Sequence, residues 1–210
     1  MPLRNRVDPS GEIHADPARG MFTGNRGVIH DPATKTLLSR RWTTKAWIVC
    51  LCDFRGRRRE VMGRNAPSGG AGWTELFFLD EVTALAAGHR PCFYCRRRAA
   101  KEFARCFATA RGLPTVTAPE MDAVLHRQRC ASGGAFVDVG DVRSLPDGTM
   151  VASAGKYLAV RDGRLLEWYF EGYRVATPAP ETMAARLLTP PATVATLNAG
   201  YQPIWHGSAS

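Results

Sequence analysis

The chain has 210 residues, 45% of them hydrophobic, and a formal charge of +9. That is enough apolar material to bury a core as one domain or two small ones. The polar, turn-rich start and the absence of any apolar run near 18 residues predict neither export nor a membrane span, so the cytoplasm is the expected location. The charge excess is confined to residues 1–111, which hold 20 Lys and Arg against 10 Asp and Glu, while residues 112–210 hold 8 against 9.

Taken in chain order, residues 1–45 are rich in Gly, Pro, Asp and Arg, with Asp8-Pro9, Asp16-Pro17 and Asp31-Pro32 as turn signals. They predict an irregular arm with short strands at 27–30 and 36–39. Residues 47–54 and 59–62, separated by Arg55-Gly56-Arg57-Arg58, read as a hairpin with a basic tip. A strand over 74–79 then leads to Asp80, a good N-cap for a short helix closing at Gly88, a residue suited to the left-handed position at a helix end. After the turn at Pro91-Cys92-Phe93-Tyr94-Cys95, a helix should run from 95 to 110. Ala99, Phe103, Cys106, Phe107 and Ala110 fall on its apolar face, and Arg97, Lys101 and Arg105 on the other.

Gly112, Pro114 and Pro119 punctuate a linker before a helix over 120–129. Strands follow at 149–153, 157–161 and 164–170, the last two joined by the turn Arg161-Asp162-Gly163-Arg164, with 171–175 as a fourth. The expected fold class is therefore α+β, divided into a basic region over 1–112 and a smaller β-rich region over 113–210. Residues 194–203 align without gaps on 82–91 with Val, Leu, Ala, Gly and Pro coinciding, which suggests a duplicated hairpin-strand-helix unit. It also fits the ordinary chemistry of a strand, a helix and a Gly turn.

Cys92 and Cys95 form a Cys-x-x-Cys turn, a spacing that brings two sulfurs to one tetrahedral ion, and Pro91 restricts the backbone presenting them. For thiolates in a reducing compartment the ion is zinc. Cys50 and Cys52 either complete a four-thiolate site or fill the core beside Ile48 and Phe54. Strand alternation puts both on one face but about 7 Å apart, wide for neighbouring ligands of one zinc. Cys106 belongs to the apolar helix face, Cys130 follows His126 by four residues, and His89 stands three residues before Cys92 as a ligand, a phosphate contact or an ordinary loop histidine.

The run from Phe77 to Cys95, with its aromatic strand, its helix ending Ala-Gly and its Arg-Pro-Cys-x-x-Cys, resembles the second half of the metal-binding domain of the Ada alkylation-repair family. The resemblance implies a structural zinc and contact with DNA. It covers roughly a tenth of the chain, and the upstream cysteines of that family, including the one that accepts a methyl group, have no counterpart in residues 62–70, so methyl transfer is not implied. As a whole the chain also resembles a group of bacterial proteins that carries no activity over to it.

The expected function is a zinc-stabilised nucleic-acid-binding protein, its phosphate contacts drawn from Arg57, Arg58 and Arg59 at the hairpin tip and Arg90, Arg96, Arg97, Lys101 and Arg105 around the Cys turn. Tyr94 and Trp73 would stack on exposed bases. The alternatives are a nuclease or other phosphoesterase using His14, His30 or His206 with nearby carboxylates such as Asp16 and Asp31, and a structural or protein-interaction module whose arginines are compositional. Walker, Rossmann, Gly-x-Ser-x-Gly and His-Glu-x-x-His motifs do not occur.

Overall fold

The computed structural model describes residues 1–56, 59–131, 138–139, 142–178 and 184–210. Its strands are β1 (Arg4–Val7), β2 (Ile13–Ala15), β3 (Phe22–Asn25), β4 (His30–Asp31), β5 (Thr36–Leu37), β6 (Ile48–Leu51), β7 (Leu76–Phe78), β8 (Arg90–Pro91), β9 (Asp138–Val139), β10 (Met150–Ser153), β11 (Lys156–Arg161), β12 (Arg164–Tyr169), β13 (Gly172–Pro178) and β14 (Ala185–Leu187). Four α-helices stand among the described residues: α1 (Glu81–Ala86), α2 (Arg97–Thr109), α3 (Ala118–Ala131) and α4 (Pro191–Asn198). The mixed α+β class expected from the sequence is present.

One six-stranded sheet has the order β2-β1-β7-β3-β6-β8, a second the order β13-β12-β11-β10-β14-β9, and β4 pairs with β5 as a small ribbon. The second sheet matches the strand pattern of the sequence closely, because its consecutive hairpins are announced by local turn chemistry such as Asp162-Gly163. The first sheet departs from it. Residues 1–45 are no irregular arm: β1, β2 and β3 supply half of that sheet, with β3 antiparallel to both β6 and β7. The hairpin expected between 47–54 and 59–62 does not form, since β6 ends at Leu51 and pairs with β3 on one side and β8 on the other.

The short helix α1 joins everything. Asp80 caps it by accepting the Thr83 amide at 2.8 Å, as its sequence position predicts. All six helical residues are buried, and they face different neighbours: Ala84 joins the core of the first sheet, Val82 and Ala86 pack with Met150, Leu166 and Trp168 of the second, and Leu85 meets Phe103, Phe107 and Leu197 of the other helices. A helix buried on every side requires such enclosure, and its two polar residues, Glu81 and Thr83, are hydrogen-bonded within it. Two hydrogen bonds bind the second sheet to it, from Trp168 Nε1 to Thr83 Oγ1 at 3.0 Å and from the Tyr173 hydroxyl to Asp80 Oδ2 at 2.9 Å. The core clusters thus run across the boundary expected near residue 112.

The helix α2 begins two residues later than predicted and buries Ala100, Phe103, Cys106, Phe107 and Ala108; Ala99 and Ala110 fall outside this stripe. Arg97, Lys101 and Arg105 lie on its exposed side as expected.

The sequence echo corresponds to matching helix ends. Gly88 and Gly200 both take positive φ, 80° and 100°, and the amides of His89 and Tyr201 return to the carbonyls of Ala84 and Thr196 at 2.9 and 3.3 Å. At Gly88 a side chain would be strained by the φ and would also meet Arg129 Cδ at 2.4 Å. The chains differ beyond these turns. Cys92 is buried, whereas Ile204, at the equivalent position one residue past the aligned proline, is 47% exposed.

Candidate metal centre

The parallel pairing of Ile48 with Arg90 and Val49 with Pro91 continues into the hydrogen bond from the Cys92 amide to the Val49 carbonyl at 3.0 Å. That register sets Cys92 beside Cys50. The chain then turns tightly, with the Arg96 amide donating to the Cys92 carbonyl at 3.0 Å, and the turn carries Cys95 back over the strand ends. The sulfurs of Cys50, Cys92 and Cys95 lie within 4.8 Å of one another. Three thiolates at about 2.3 Å from one tetrahedral zinc stand about 3.8 Å apart, so this donor set fits the ion with little adjustment.

Electrostatics point the same way. The Cys92 thiol is drawn well below the ordinary thiol range by hydrogen bonds from Cys50 and Cys95, helped by the amides of Cys95 and Tyr94, the latter 3.4 Å from its sulfur. Cys50 is pushed far up, first by its bond to Cys92 and then by Cys95 and burial. Cys95 is lowered by Cys50, but Cys92 and burial outweigh that and raise it. One sulfur of the three takes negative charge easily and the other two resist it. A bound divalent cation would offset most of the charge of three thiolates and so ease that resistance.

Cys52 does not join them. The strand ends at Leu51, so alternation stops before it can place Cys52 on the Cys50 face, and the Cys52 thiol lies against the Gly20 and Met21 carbonyls at 3.9 and 3.5 Å. Cys106 is buried in the helical core as expected, and the side chain of Cys130 lies outside the described residues. His89 does lie in the connection between α1 and β8, but it is fully buried, with the rings of Trp47 and Phe78 at centroid distances of 5.2 and 4.7 Å, and it does not stand with the three sulfurs.

The basic residues divide sharply. Arg90 forms a buried bidentate pair with Asp122, both contacts 2.7 Å, and Arg96 a buried pair with Glu81 at 2.7 Å while stacking on Phe22. Neither can reach a phosphate. Arg59 is turned inward onto Glu75 at 2.7 Å and covers Trp73, and Arg105 pairs with Glu102 at 2.6 Å. Arg57 and Arg58 lie outside the described residues. What faces solvent beside the thiols is Arg97, Arg98 and Lys101 on α2, none in an ion pair among the described residues, together with Arg55, whose guanidinium lies over Phe54 and Tyr94. Tyr94 is 55% exposed and meets Phe54 edge to face at 5.2 Å.

The histidines do not form a common site. His14 bonds Asp8 at 2.8 Å, His30 is buried against Thr74, His126 packs on Trp42 and His206 bonds Ser208. Compared with known proteins, the chain matches no protein-family model, no curated protein and no solved structure. Among the described residues no helix is long and apolar enough to cross a membrane.

Proposed function

We propose that this is a zinc-stabilised nucleic-acid-binding protein, resembling the Ada-type metal-binding domain in the way a Cys turn feeds a basic helix. The observation that carries the reading is the convergence of Cys50, Cys92 and Cys95 at the start of α2, whose exposed Arg97, Arg98 and Lys101 are in no ion pair among the described residues and follow closely on the exposed Tyr94, over which Arg55 lies. Bound zinc would act as a crosslink, fixing the end of β6 to the turn before α2. Arg97, Lys101 and Arg98 would then meet phosphates from a rigid helix, and the Tyr94 ring would offer a stacking face to an unpaired base. Fluorescence anisotropy with labelled single- and double-stranded probes at 50 mM salt tests this. Binding should weaken at least tenfold in Arg97→Ala/Lys101→Ala and on zinc removal. Absence of binding to any probe at low salt refutes it.

A second reading, a zinc hydrolase acting on phosphoesters, is favoured by one observation: among the described residues no fourth Cys, His, Asp or Glu stands with the three sulfurs. Three protein ligands leave one tetrahedral position for water or substrate, as in catalytic zinc sites. X-ray absorption at the zinc edge separates the readings. Three sulfurs plus one light atom that exchanges with added anions supports the hydrolase; a closed four-ligand shell supports the binding protein.

A further inference from the structure

A second feature lies away from the thiols. Arg26 follows directly on β3 and is 1% exposed, yet among the described residues no carboxylate pairs with it. Its Nη1 donates to the Gly11 carbonyl at 2.9 Å, its Nε meets His89 Nε2 at 3.4 Å, and its plane stacks on Trp47 at 4.1 Å. Nη2 has no partner. Of the two carboxylates whose charge acts on it, Glu12 faces Arg41 and Asp8 is committed to Ser10, His14 and the Glu12 amide. Buried cations without a counter-charge are costly and persist where they serve a ligand.

The surroundings add positive charge. Arg129 covers Trp47 at 4.0 Å and donates to the carbonyls of Gly88 and Lys45. Arg26 is lowered to about 9, by burial first and then by Arg41 and Arg129, and His89 is held neutral by burial, Arg26 and Arg129. Arg26 forms part of the wall of a pocket of about 440 Å³ whose other cations are Arg4, Arg40 and Arg41. Among the described residues Glu12 is the one acid lining it, and it faces Arg41 in an exposed pair. Ile13, Ile29 and Leu37 supply an apolar side. The volume lies in the range of small-ligand sites, about 300–1,000 Å³.

We propose that this pocket binds a phosphate monoester, with Arg26 as the preorganised inner cation and Arg4, Arg40 and Arg41 as the rim. Four guanidiniums against one carboxylate suit a dianion better than a single carboxylate ligand, and planar guanidinium forks match phosphate oxygens. Stacking on Trp47 and the bond to Gly11 hold Arg26 in place before the ligand arrives, so little ordering cost remains. The phosphate could be free or the 5′ end of a nucleic-acid strand, and the chemistry is shared.

Calorimetric titration with inorganic phosphate against chloride at equal ionic strength tests the site, with tryptophan fluorescence as a second readout because Arg26 stacks on Trp47. Phosphate should bind, and the exposed double variant Arg40→Gln/Arg41→Gln should weaken it at least tenfold without loss of fold. Arg26→Gln should abolish binding; if that variant does not fold, the rim double variant still decides. Arg97→Ala/Lys101→Ala should leave phosphate affinity unchanged, which separates this site from the α2 surface. A 5′-phosphorylated dinucleotide binding at least tenfold tighter than both its 5′-hydroxyl form and inorganic phosphate identifies a strand end, and equal affinity for dinucleotide and inorganic phosphate identifies a free phosphate. No binding of any phosphate probe at millimolar concentration and low salt, or affinity unchanged in the rim double variant, overturns the proposal.

Discussion

Cys50 on β6 and Cys92, the residue just past the parallel strand β8, stand side by side, their register set by Val49 and Pro91, although 42 positions separate them in the chain. Sheet pairing, not sequence proximity, completes the thiol cluster, and the Cys-x-x-Cys turn adds only the third sulfur. The candidate centre therefore depends on the sheet being formed, and a bound metal would in turn hold the edge strand β8 in place.

Glu81 ties the Cys turn to the C-terminal segment. It receives Arg96 at 2.7 Å, the Tyr201 hydroxyl at 2.6 Å and the Ile204 amide at 2.9 Å. Replacing it with Ala leaves Arg96 buried and unpaired, an expected loss of about 3–5 kcal/mol in urea unfolding. Removing Glu102 from its exposed pair with Arg105 should cost no more than about 1 kcal/mol. Similar losses for the two variants would count against Glu81 as a buried node.

His89 gives the protein an acid sensitivity. Its folded-state pKa lies well below the ordinary value because of burial, Arg26 and Arg129, so the native state keeps it neutral while the unfolded chain takes up a proton below about pH 6.5. Stability should fall as pH drops from there, by up to about 1.4 kcal/mol per unit from this residue. His89→Gln should flatten that limb of the profile between pH 7 and 5.5. Identical slopes in the two proteins would show that His89 does not carry the effect.

Nucleic-acid affinity, on the proposed reading, should fall log-linearly with salt, with a slope of about 0.9 for each phosphate neutralised on duplex DNA. Arg97→Ala/Lys101→Ala should reduce that slope by nearly two. Arg59→Ala should leave it unchanged, since Glu75 holds Arg59 inward. A slope altered by Arg59 and not by the α2 pair would move the contact surface to the 52–75 loop.

How much of this the sequence discloses depends on how local each signal is. The Asp80 cap, the Gly88 helix end and the β10–β13 meander are written in neighbouring residues and read correctly. So was the Cys92–Cys95 turn. The membership of β1–β3 in the first sheet was not legible, because strands of three or four residues between Gly and Pro turns carry little periodicity and are fixed by distant partners. Arg90 and Arg96 look like surface charges in sequence; Asp122 and Glu81, which bury them, lie 32 and 15 residues away. Cys50 and Cys52 were indistinguishable without knowing where β6 ends.

The most direct test is metal content by elemental analysis of protein purified without added zinc, for the native chain and for single Cys→Ser variants. About one zinc per chain is expected, retained in Cys52→Ser and lost or sharply reduced in Cys50→Ser, Cys92→Ser and Cys95→Ser. A native protein free of metal, or stoichiometric zinc surviving the Cys92→Ser/Cys95→Ser double variant, would contradict the three-thiolate centre.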